Sequence, residues 1–409
     1  MPSATGSASS APEGAGRRRW ISRLWGAPAP GDAASIYLLH PERLSDGNRV
    51  DILHGGGEAF PAMLEAIAGA RHEVLLATYM VRDDAVGERF HDALVERARA
   101  GVRVRVCYDA IGCLGTVGEA WFRSLREAGC EVLEFHPIAP WRPRWGLNRR
   151  NHQKLLVVDG DVGFTGGLNL GAEYAPGPDG EGAWVDLHAR VEGPAADELA
   201  DVFARAWEVG GGAPFVPLGG QDPSFEDGVR AQALDTIGLR RRHQMNLGWR
   251  HAIGGARRSI TIANAYFIPD LRLRLALRAA VQRGVRVDVI LPERSDVPVV
   301  GAASRHLYRR LLRAGVRLYE LGGPMLHAKA ASIDGCWSSI GSYNLDRRSL
   351  LHNLEAGIVV FDEGFGDDLC RTLRVLRDRA REVTLADVTA RSAFARVVSW
   401  VAYSFRYWL

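Results

Sequence analysis

The chain runs to 409 residues, 47% of them hydrophobic and 24% charged, with a formal net charge of +3. This is the composition of a folded globular protein with room for one large core or two medium ones. It excludes a polycation, so an anionic ligand has to be met by local patches rather than by bulk charge.

Residues 1–34 are rich in Ser, Ala, Gly and Pro and read as a disordered N-terminal tail. Within them Arg17–Arg19, Trp20, Ile21, Leu24 and Trp25 form a basic-aromatic cluster, open to two readings, a solvated tail or a membrane contact. The glycines of "HGGGEAF" (54–60) read as a turn opening a helix, because the Gly-Lys-Ser/Thr ending of a nucleotide loop is missing. From there the chain writes much of its content twice. "AGARHEVLLATY" (68–79) returns as "GGARRSITIANAY" (254–266), and "ALVERARAGVRVRV" (93–106) as "ALRAAVQRGVRVDV" (276–289). "FRSLREAGCEVLEF" (122–135) returns as "YRRLLRAGVRLYEL" (308–321).

Each copy alternates helix-period segments with short β-branched runs, a strand–helix–strand rhythm that predicts an α/β fold. The Gly/Pro-rich stretch 209–228 reads as a connector. It divides the chain into halves at 35–215 and 216–385, with a C-terminal segment at 386–409. Two similar halves pack most simply about a pseudo-twofold axis, with a site at their interface. The five cysteines, odd in number and without CxxC spacing, imply no disulfide framework or zinc knuckle and suit a reducing compartment. No apolar run reaches the roughly 18–20 residues of a spanning helix, and the N-terminus lacks the apolar core of a signal peptide. The expectation is a peripheral protein on the cytoplasmic face of the cell membrane.

"NHQKLLVVDG" (151–160) and "HAKAASIDG" (327–335) repeat the pattern His-x-Lys-x-x-x-x-Asp, 175 residues apart. Of the 51 basic side chains only two are lysine, Lys154 and Lys329, one in each pattern. Arginine does not replace lysine where a compact point charge must fit a tight site. On a strand His152 and Lys154 share a face, as do His327 and Lys329. Asp159-Gly160 and Asp334-Gly335 then signal tight hairpins, which gives the aspartates a turn-forming role. The returning strands end in "GGLN" (166–169) and "GSYN" (341–344), delivering Asn169 and Asn344 to the same places. Two lysines and two asparagines offer donors for a phosphoryl centre. One histidine suits nucleophilic attack on phosphorus, and the other suits acid–base work on the oxygens. The ammonium groups supply the positive charge, so neither metal nor cofactor is required.

The double pattern HxKxxxxDxxxxxxGxxN resembles the phospholipase D superfamily over roughly residues 50–385. Both copies, His152/Lys154/Asp159/Gly166/Asn169 and His327/Lys329/Asp334/Gly341/Asn344, fit without a departure. The resemblance implies two α/β sandwich halves and a phosphohistidine mechanism at their interface, with His152, Lys154, Asp159, His327, Lys329 and Asp334 as the catalytic motif. It makes His152 the nucleophile and His327 the acid/base, although spacing alone does not fix which is which. It also implies a carboxylate for each imidazole from the opposite half, with Asp186 orienting His327 and Glu355 orienting His152.

The longer stretches "AYFIPDLRLRLALRAAVQRGVRVDVILPERSDVPVV" and "GSYNLDRRSLLHNLEAGIVVFD" are similar to bacterial cardiolipin synthases of the shorter, peripheral type. That implies transfer of a phosphatidyl group from phosphatidylglycerol to a second phospholipid, phosphatidylglycerol or phosphatidylethanolamine. Hydrolysis to phosphatidic acid is the alternative, differing only in the acceptor. A nuclease-type phosphodiesterase is disfavoured by the modest charge, so no nucleic-acid partner is expected. "WRPRWGLNRR" (141–150) reads as a lining of the cleft mouth or a solvated loop. On a helix Phe394, Val397, Val398, Val401, Phe405 and Trp408 share one face, with Arg391, Arg396 and Arg406 the only charges after Asp387. This C-terminal segment suits an anionic membrane surface or a cover for the core.

Overall fold

The computed structural model describes residues 33–408, apart from 143, 145, 178–182 and 221–223. The basic-aromatic cluster at Arg17–Trp25 therefore lies outside the described residues, as does most of the expected tail. In the first half the elements are β1 (Ser45–His54), α1 (Gly55–Gly69), β2 (Glu73–Thr78), α2 (Ala85–Arg99), β3 (Arg103–Asp109), α3 (Glu119–Glu127), β4 (Glu131–Phe135), β5 (Leu155–Val158), β6 (Val162–Gly166), β7 (Leu187–Glu192) and α4 (Pro194–Gly210). In the second half the run from β8 to β11 repeats this order: β8 (Val229–Asp235), α5 (Leu239–Gly255), β9 (Ser259–Asn264), α6 (Leu271–Gln282), β10 (Arg286–Pro292), α7 (Pro298–Arg313) and β11 (Arg317–Leu321). It closes with β12 (Lys329–Ile333), β13 (Trp337–Gly341), the short α8 (Arg347–Leu351), β14 (Ala356–Phe361), α9 (Glu363–Arg379) and the edge strand β15 (Arg381–Val383). Helices α10 (Leu385–Ala390) and α11 (Ala393–Ser404) end the described chain.

All fifteen strands join one sheet, β15-β11-β10-β9-β12-β13-β14-β8-β1-β7-β6-β5-β2-β3-β4. Apart from the edge strand the order is a palindrome about β8 and β1, which pair antiparallel at its centre. Strands β2, β3 and β4 are parallel, as are β9, β10 and β11, and the remaining pairs are antiparallel. Crossover helices dictate this, since a parallel pair needs a helix to return the chain whereas the Asp-Gly turns make antiparallel hairpins. Helices α2 and α6 start alike: Asp84 accepts from Val86 N and Gly87 N, and Asp270 from Leu273 N.

Strand β2 is buried along its whole length, as expected for a strand covered on both faces. Leu75 and Ala77 join a core that also takes in α4, α9 and strands of both halves, while Val74 and Leu76 face a first-half core under α1, α2 and α3. The second half has its own equivalent core under α5, α6 and α7. The shared core welds the halves together, so their relative placement is set by apolar burial.

Two boundaries differ from the sequence expectation. Ala33–Ile36 forms a short 3-10 helix, so residues 33 and 34, inside the stretch read as tail, belong to a folded element. Residues from 35 onward were assigned to the first half, yet Tyr37 is buried in the second-half core, with Ile36 and Leu38 packed against it. These apolar side chains find their partners on α5, and His251 Nε2 lies 2.9 Å from the Ser35 carbonyl.

The motif aspartates stand at the far ends of β5 and β12 from the histidines. Asp159 and Asp334 have φ of 54° and 56°, followed by Gly160 and Gly335 at 74° and 72°, the positive angles that a type I′ turn demands. Asp159 accepts from the backbone N–H groups of Arg71, His72 and Glu73 at 2.8, 2.8 and 2.7 Å. Asp334 accepts from those of Arg257, Arg258 and Ser259 at 2.7, 2.7 and 2.8 Å, and from the Tyr37 hydroxyl at 2.9 Å. Each carboxylate clamps the hairpin to the start of β2 or β9. Their inclusion in the catalytic motif is corrected accordingly: they hold the fold and do not touch the imidazoles. Replacing Asp334 by Ala leaves three backbone N–H groups without their acceptor, and we expect a loss of about 3 kcal/mol in urea unfolding. The histidine NMR signals of the folded fraction should stay in place.

Candidate active site

The histidines lie just outside the strands that carry their motifs. Strand β5 begins at Leu155 and β12 at Lys329, so His152 and His327 precede the ladders. The reason is that their backbones pair across the half interface. His152 N donates to Leu354 O at 2.8 Å, and Leu354 N donates back to Arg150 O at 2.8 Å. In the other copy His327 N donates to Val185 O at 2.7 Å, and Val185 N to Met325 O at 2.8 Å. Leu354 precedes Glu355 and Val185 precedes Asp186. The same bridge that fixes each histidine therefore delivers a carboxylate from the opposite half.

Glu355 Oε2 and Oε1 lie 2.9 and 3.1 Å from His152 Nδ1, and Asp186 Oδ2 lies 2.7 Å from His327 Nδ1. Glu355 is held in turn by the Ser342 hydroxyl at 2.5 Å and the Asn353 amide at 3.1 Å, while Asp186 Oδ1 accepts from Leu187 N at 2.8 Å. Lys154 Nζ donates to the His152 carbonyl at 2.9 Å. Lys329 Nζ lies 2.8 and 3.0 Å from the two ring nitrogens of His327 and also donates to its carbonyl. All six side chains are buried. Aromatic rings wall the imidazoles: Tyr79 stands edge-on to His152 at 5.0 Å, and Tyr174, Trp184 and Tyr266 surround His327 at 5.5, 5.5 and 6.3 Å. Tyr79 and Tyr266 follow the C-terminal ends of β2 and β9, where open parallel sheets place their ligands.

Burial and mutual repulsion set the charges. Burial, followed by Lys154, Lys329, His327 and Arg348, pushes His152 well below the ordinary imidazole range. His327 and Lys329, on the opposite half, are thus near enough to act on it. Burial also drives Lys154 well down, against the pull of Glu355, and brings Lys329 down to about 8. Burial raises Glu355 to about 7, opposed by Lys154 and its hydrogen bonds. Asp186 behaves oppositely: burial works to raise it, but Lys329 and the His327 contact outweigh burial and hold it below the usual carboxylate range. His327 is lowered by burial and Lys329, with Asp186 pulling the other way. The two histidine–carboxylate pairs therefore differ, one pushed towards neutrality and the other built on an ionised acid.

The asparagines divide. Asn169 Nδ2 donates to the Tyr174 hydroxyl at 2.9 Å, and that hydroxyl lies 3.4 Å from His327 Nδ1. The donor expected to face a phosphate thus holds Tyr174. Asn344 is buried, and its Oδ1 has no partner among the described residues. The arginine-rich loop is also spent internally. Arg150 is buried against Asp109 and the carbonyls of His136 and Gly146, Arg142 pairs with Glu134, and Arg144 donates to Gly211 O. Trp141, Leu147 and Asn148 stay exposed, and Pro143 and Trp145 lie outside the described residues.

A family model described as "Cardiolipin synthase, PLD-like domain" matches residues 63–207 and 249–375, one stretch in each half. The chain belongs to this family, within the phospholipase D superfamily. Cardiolipin synthase A of Pseudomonas entomophila (strain L48) is 36% identical over 340 residues, which are 83% of this chain and 71% of that protein. The protein of the same name from Pseudomonas fluorescens (strain SBW25) is 36% identical over 343 residues, 82% of this chain and 71% of that one. Among solved structures, phosphatidylserine synthase of Haemophilus influenzae Rd KW20 has the same fold, with a TM-score of 0.66 at 15% identity, covering 88% of this chain and 95% of that one. The chain is thus a cardiolipin synthase-like enzyme of the phospholipase D superfamily.

This phospholipase D-type site includes residues that the motifs did not name. Tyr79 and Tyr266 were legible, because each closes its copy of a duplicated segment. Tyr174, Trp184, Ser342 and Asn353 had no signal in spacing or composition. A buried ammonium lowered to about 8 loses its charge within reach of ordinary buffers. Affinity for sulfate, an anion that does not titrate in this range, should fall by up to about tenfold per pH unit above that point, read by calorimetry.

Proposed function

We propose that the chain transfers a phosphatidyl group from phosphatidylglycerol to a second phospholipid, phosphatidylglycerol or phosphatidylethanolamine, making cardiolipin through a phosphohistidine. The observation that carries this reading is the meeting of two carboxylate-held imidazoles and two buried lysines at the seam between the halves, in a chain whose curated relatives are named cardiolipin synthases.

The chemistry follows from the charges. His152, with Nδ1 against Glu355 and Lys154, Lys329 and Arg348 near it, is a neutral imidazole whose Nε2 lone pair attacks phosphorus. As the P–N bond forms, the bond from phosphorus to the leaving glycerol oxygen breaks, and His327 gives that oxygen its proton. Asp186, kept ionised, stabilises the imidazolium form of His327. Lys329 depresses His327 in the resting site, and a phosphodiester anion that takes up the ammonium relieves that pull and loads the acid. In the second step the acceptor hydroxyl passes its proton to His327 and bonds to phosphorus while the P–N bond to His152 breaks. Lys154 and Lys329 hold the charge on the phosphoryl oxygens throughout.

Vesicles of phosphatidylglycerol, with and without phosphatidylethanolamine, test this by mass spectrometry of the products. Cardiolipin supports transfer; phosphatidic acid as the main product makes the enzyme a hydrolase. His152→Ala and His327→Ala should each lower either product by at least about 10³-fold, and a chelator should leave the rate unchanged. Loss of activity on chelation would overturn the proposed charge supply.

Access to lipid is assigned to the C-terminal segment, on the peripheral placement that the sequence suggested. No helix among the described residues is long and apolar enough to cross a membrane. Helix α11 touches α7, with Tyr403 stacked on His306 at 4.6 Å and Ala402 buried. Its other face is bare: Phe394 is 77% exposed, Trp400 60% and Trp408 60%, with Val397, Val398, Val401 and Phe405 beside them. One face of the helix covers the core, and the exposed apolar face supports the membrane reading. Arg396 is exposed, while Arg391 and Arg406 are half-buried against Glu320 and Tyr403, and the positive charge they bring to the segment suits anionic headgroups. Its end reaches the site region, where Arg348 donates to Trp408 O at 3.1 Å and the Arg347 guanidinium lies 4.2 Å over the Tyr407 ring. The double change Phe394→Ser/Trp400→Ser leaves the buried face alone. It should weaken co-sedimentation with anionic vesicles by roughly tenfold or more, and unchanged binding would reject the membrane role.

A further inference from the structure

The loops that follow β3 and β10 are counterparts in the duplication, but they differ in charge. Residues 110–118, "AIGCLGTVG", contain no acidic or basic side chain, whereas residues 293–297, "ERSDV", include Asp296. Asp296 is exposed, and both its carboxylate oxygens accept from the Tyr266 hydroxyl, at 2.8 and 2.7 Å. The Tyr266 ring in turn stands edge-on to His327 with centroids 6.3 Å apart. The carboxylate is therefore one phenol away from the imidazole assigned to acid–base work. No cation bridges it among the described residues. Its charge still reaches the site, opposing the burial that lowers Lys329 and His327. Burial and Asp296 together raise Tyr266 far above the ordinary phenol range, so Tyr266 stays protonated and keeps donating.

A carboxylate at the rim of a phosphate site repels the phosphate. It is useful there only to a part of the substrate that is not anionic. On the His327 side that part is the alcohol, both the one that leaves and the one that enters. A carboxylate accepts from hydroxyl or ammonium groups. Lys154, Lys329 and Arg348 already crowd the site with positive charge, which disfavours a further cation and leaves neutral hydroxyls as the better match.

We propose that Asp296, held by Tyr266, is the specificity-determining residue for the alcohol, accepting a hydrogen bond from the hydroxyl next to the reacting one in a glycerol head group. This deepens the phosphatidyl-transfer reading and rests on it. One subsite then serves twice: it holds the leaving glycerol as His327 protonates it, and then the glycerol head of the incoming phosphatidylglycerol. The reacting hydroxyl gives its proton to His327 and bonds to phosphorus as the P–N bond to His152 breaks. Its neighbour donates to Asp296 and undergoes no chemistry.

The test offers soluble alcohols to phosphatidylglycerol vesicles and measures products by mass spectrometry. Deuterated glycerol, 1-propanol and ethanolamine compete in equal amounts. The wild-type enzyme should prefer glycerol over propanol, and Asp296→Asn should reduce that preference about tenfold, the scale of one hydrogen bond to a charged group. Release of the first glycerol, followed as a burst, should slow by a similar factor in Asp296→Asn, because the same subsite holds the leaving glycerol. Tyr266→Phe, which keeps the carboxylate but frees it, should shift the preference in the same direction by a smaller factor. An unchanged preference in Asp296→Asn, or an equal fall with glycerol and propanol, overturns the proposal by making the residue merely structural. Preference for ethanolamine that disappears in Asp296→Asn overturns the hydroxyl assignment in favour of an ammonium. Absence of any phosphatidyl product from the wild-type enzyme sinks the transfer reading itself, a result distinct from the others.

Discussion

Each half of this protein completes the other at two backbone bridges. His152 N bonds to Leu354 O, and His327 N bonds to Val185 O. These hydrogen bonds are short and buried, and in each the acceptor is the residue before a carboxylate that then meets the imidazole's Nδ1. Neither half alone has a held histidine. The bridges in turn depend on the shared apolar core beneath them, which includes Leu326, Ala328 and Leu354 from the bridging strands and their surroundings. Hydrophobic burial fixes the halves, the halves fix the bridges, and the bridges fix the chemistry.

Burial of so many charged groups in one place carries a cost, which falls unequally on the two sides. A fully buried Glu355 with only Lys154 and polar neighbours to offset desolvation moves towards its neutral form, whereas Asp186 has Lys329 and His327 against it and stays charged. A symmetric duplication thus yields two unlike imidazoles. Such divergence is needed if one is to attack phosphorus while the other carries a proton. The aromatic walls of Tyr79, Tyr174, Trp184 and Tyr266 keep water back and strengthen each of these interactions.

Much of this was readable from the chain because duplication writes its own alignment. The α/β rhythm, the two halves and the gathering of His152, Lys154, His327 and Lys329 rest on matched segments, and β2 through β4 and β9 through β11 follow them. What escaped was whatever depends on contacts between distant segments. Residues 35–44 precede the first half in sequence but pack on the second, because Tyr37 finds Asp334 and the α5 side there. The strand expected to run through His152 breaks off before Leu155, since its hydrogen bonds turn to Leu354, some two hundred residues away in the chain. Arg150 belongs to a stretch that reads as a cleft lining or a solvated loop, yet one buried carboxylate, Asp109, and two carbonyls are enough to take it inside. Composition counts charges without saying which are already paired.

The most informative differences lie where the copies stop agreeing. The shared positions, from Asp84 and Asp270 to the Asp-Gly turns, build a frame that any phosphodiester would fit. Substrate choice has to come from what only one half possesses. Among the described residues, the first half buries an Asp109–Arg150 pair beside its motif strand, and the second holds Asp296 near the site through Tyr266. The first anchors the backbone just before His152, since Asp109 also accepts from Asn151 N at 2.8 Å. The second places an exposed carboxylate, held by the Tyr266 hydroxyl, on the His327 side. A duplicated fold can therefore hold one phosphorus atom with its symmetric parts and tell alcohols apart with the asymmetric remainder.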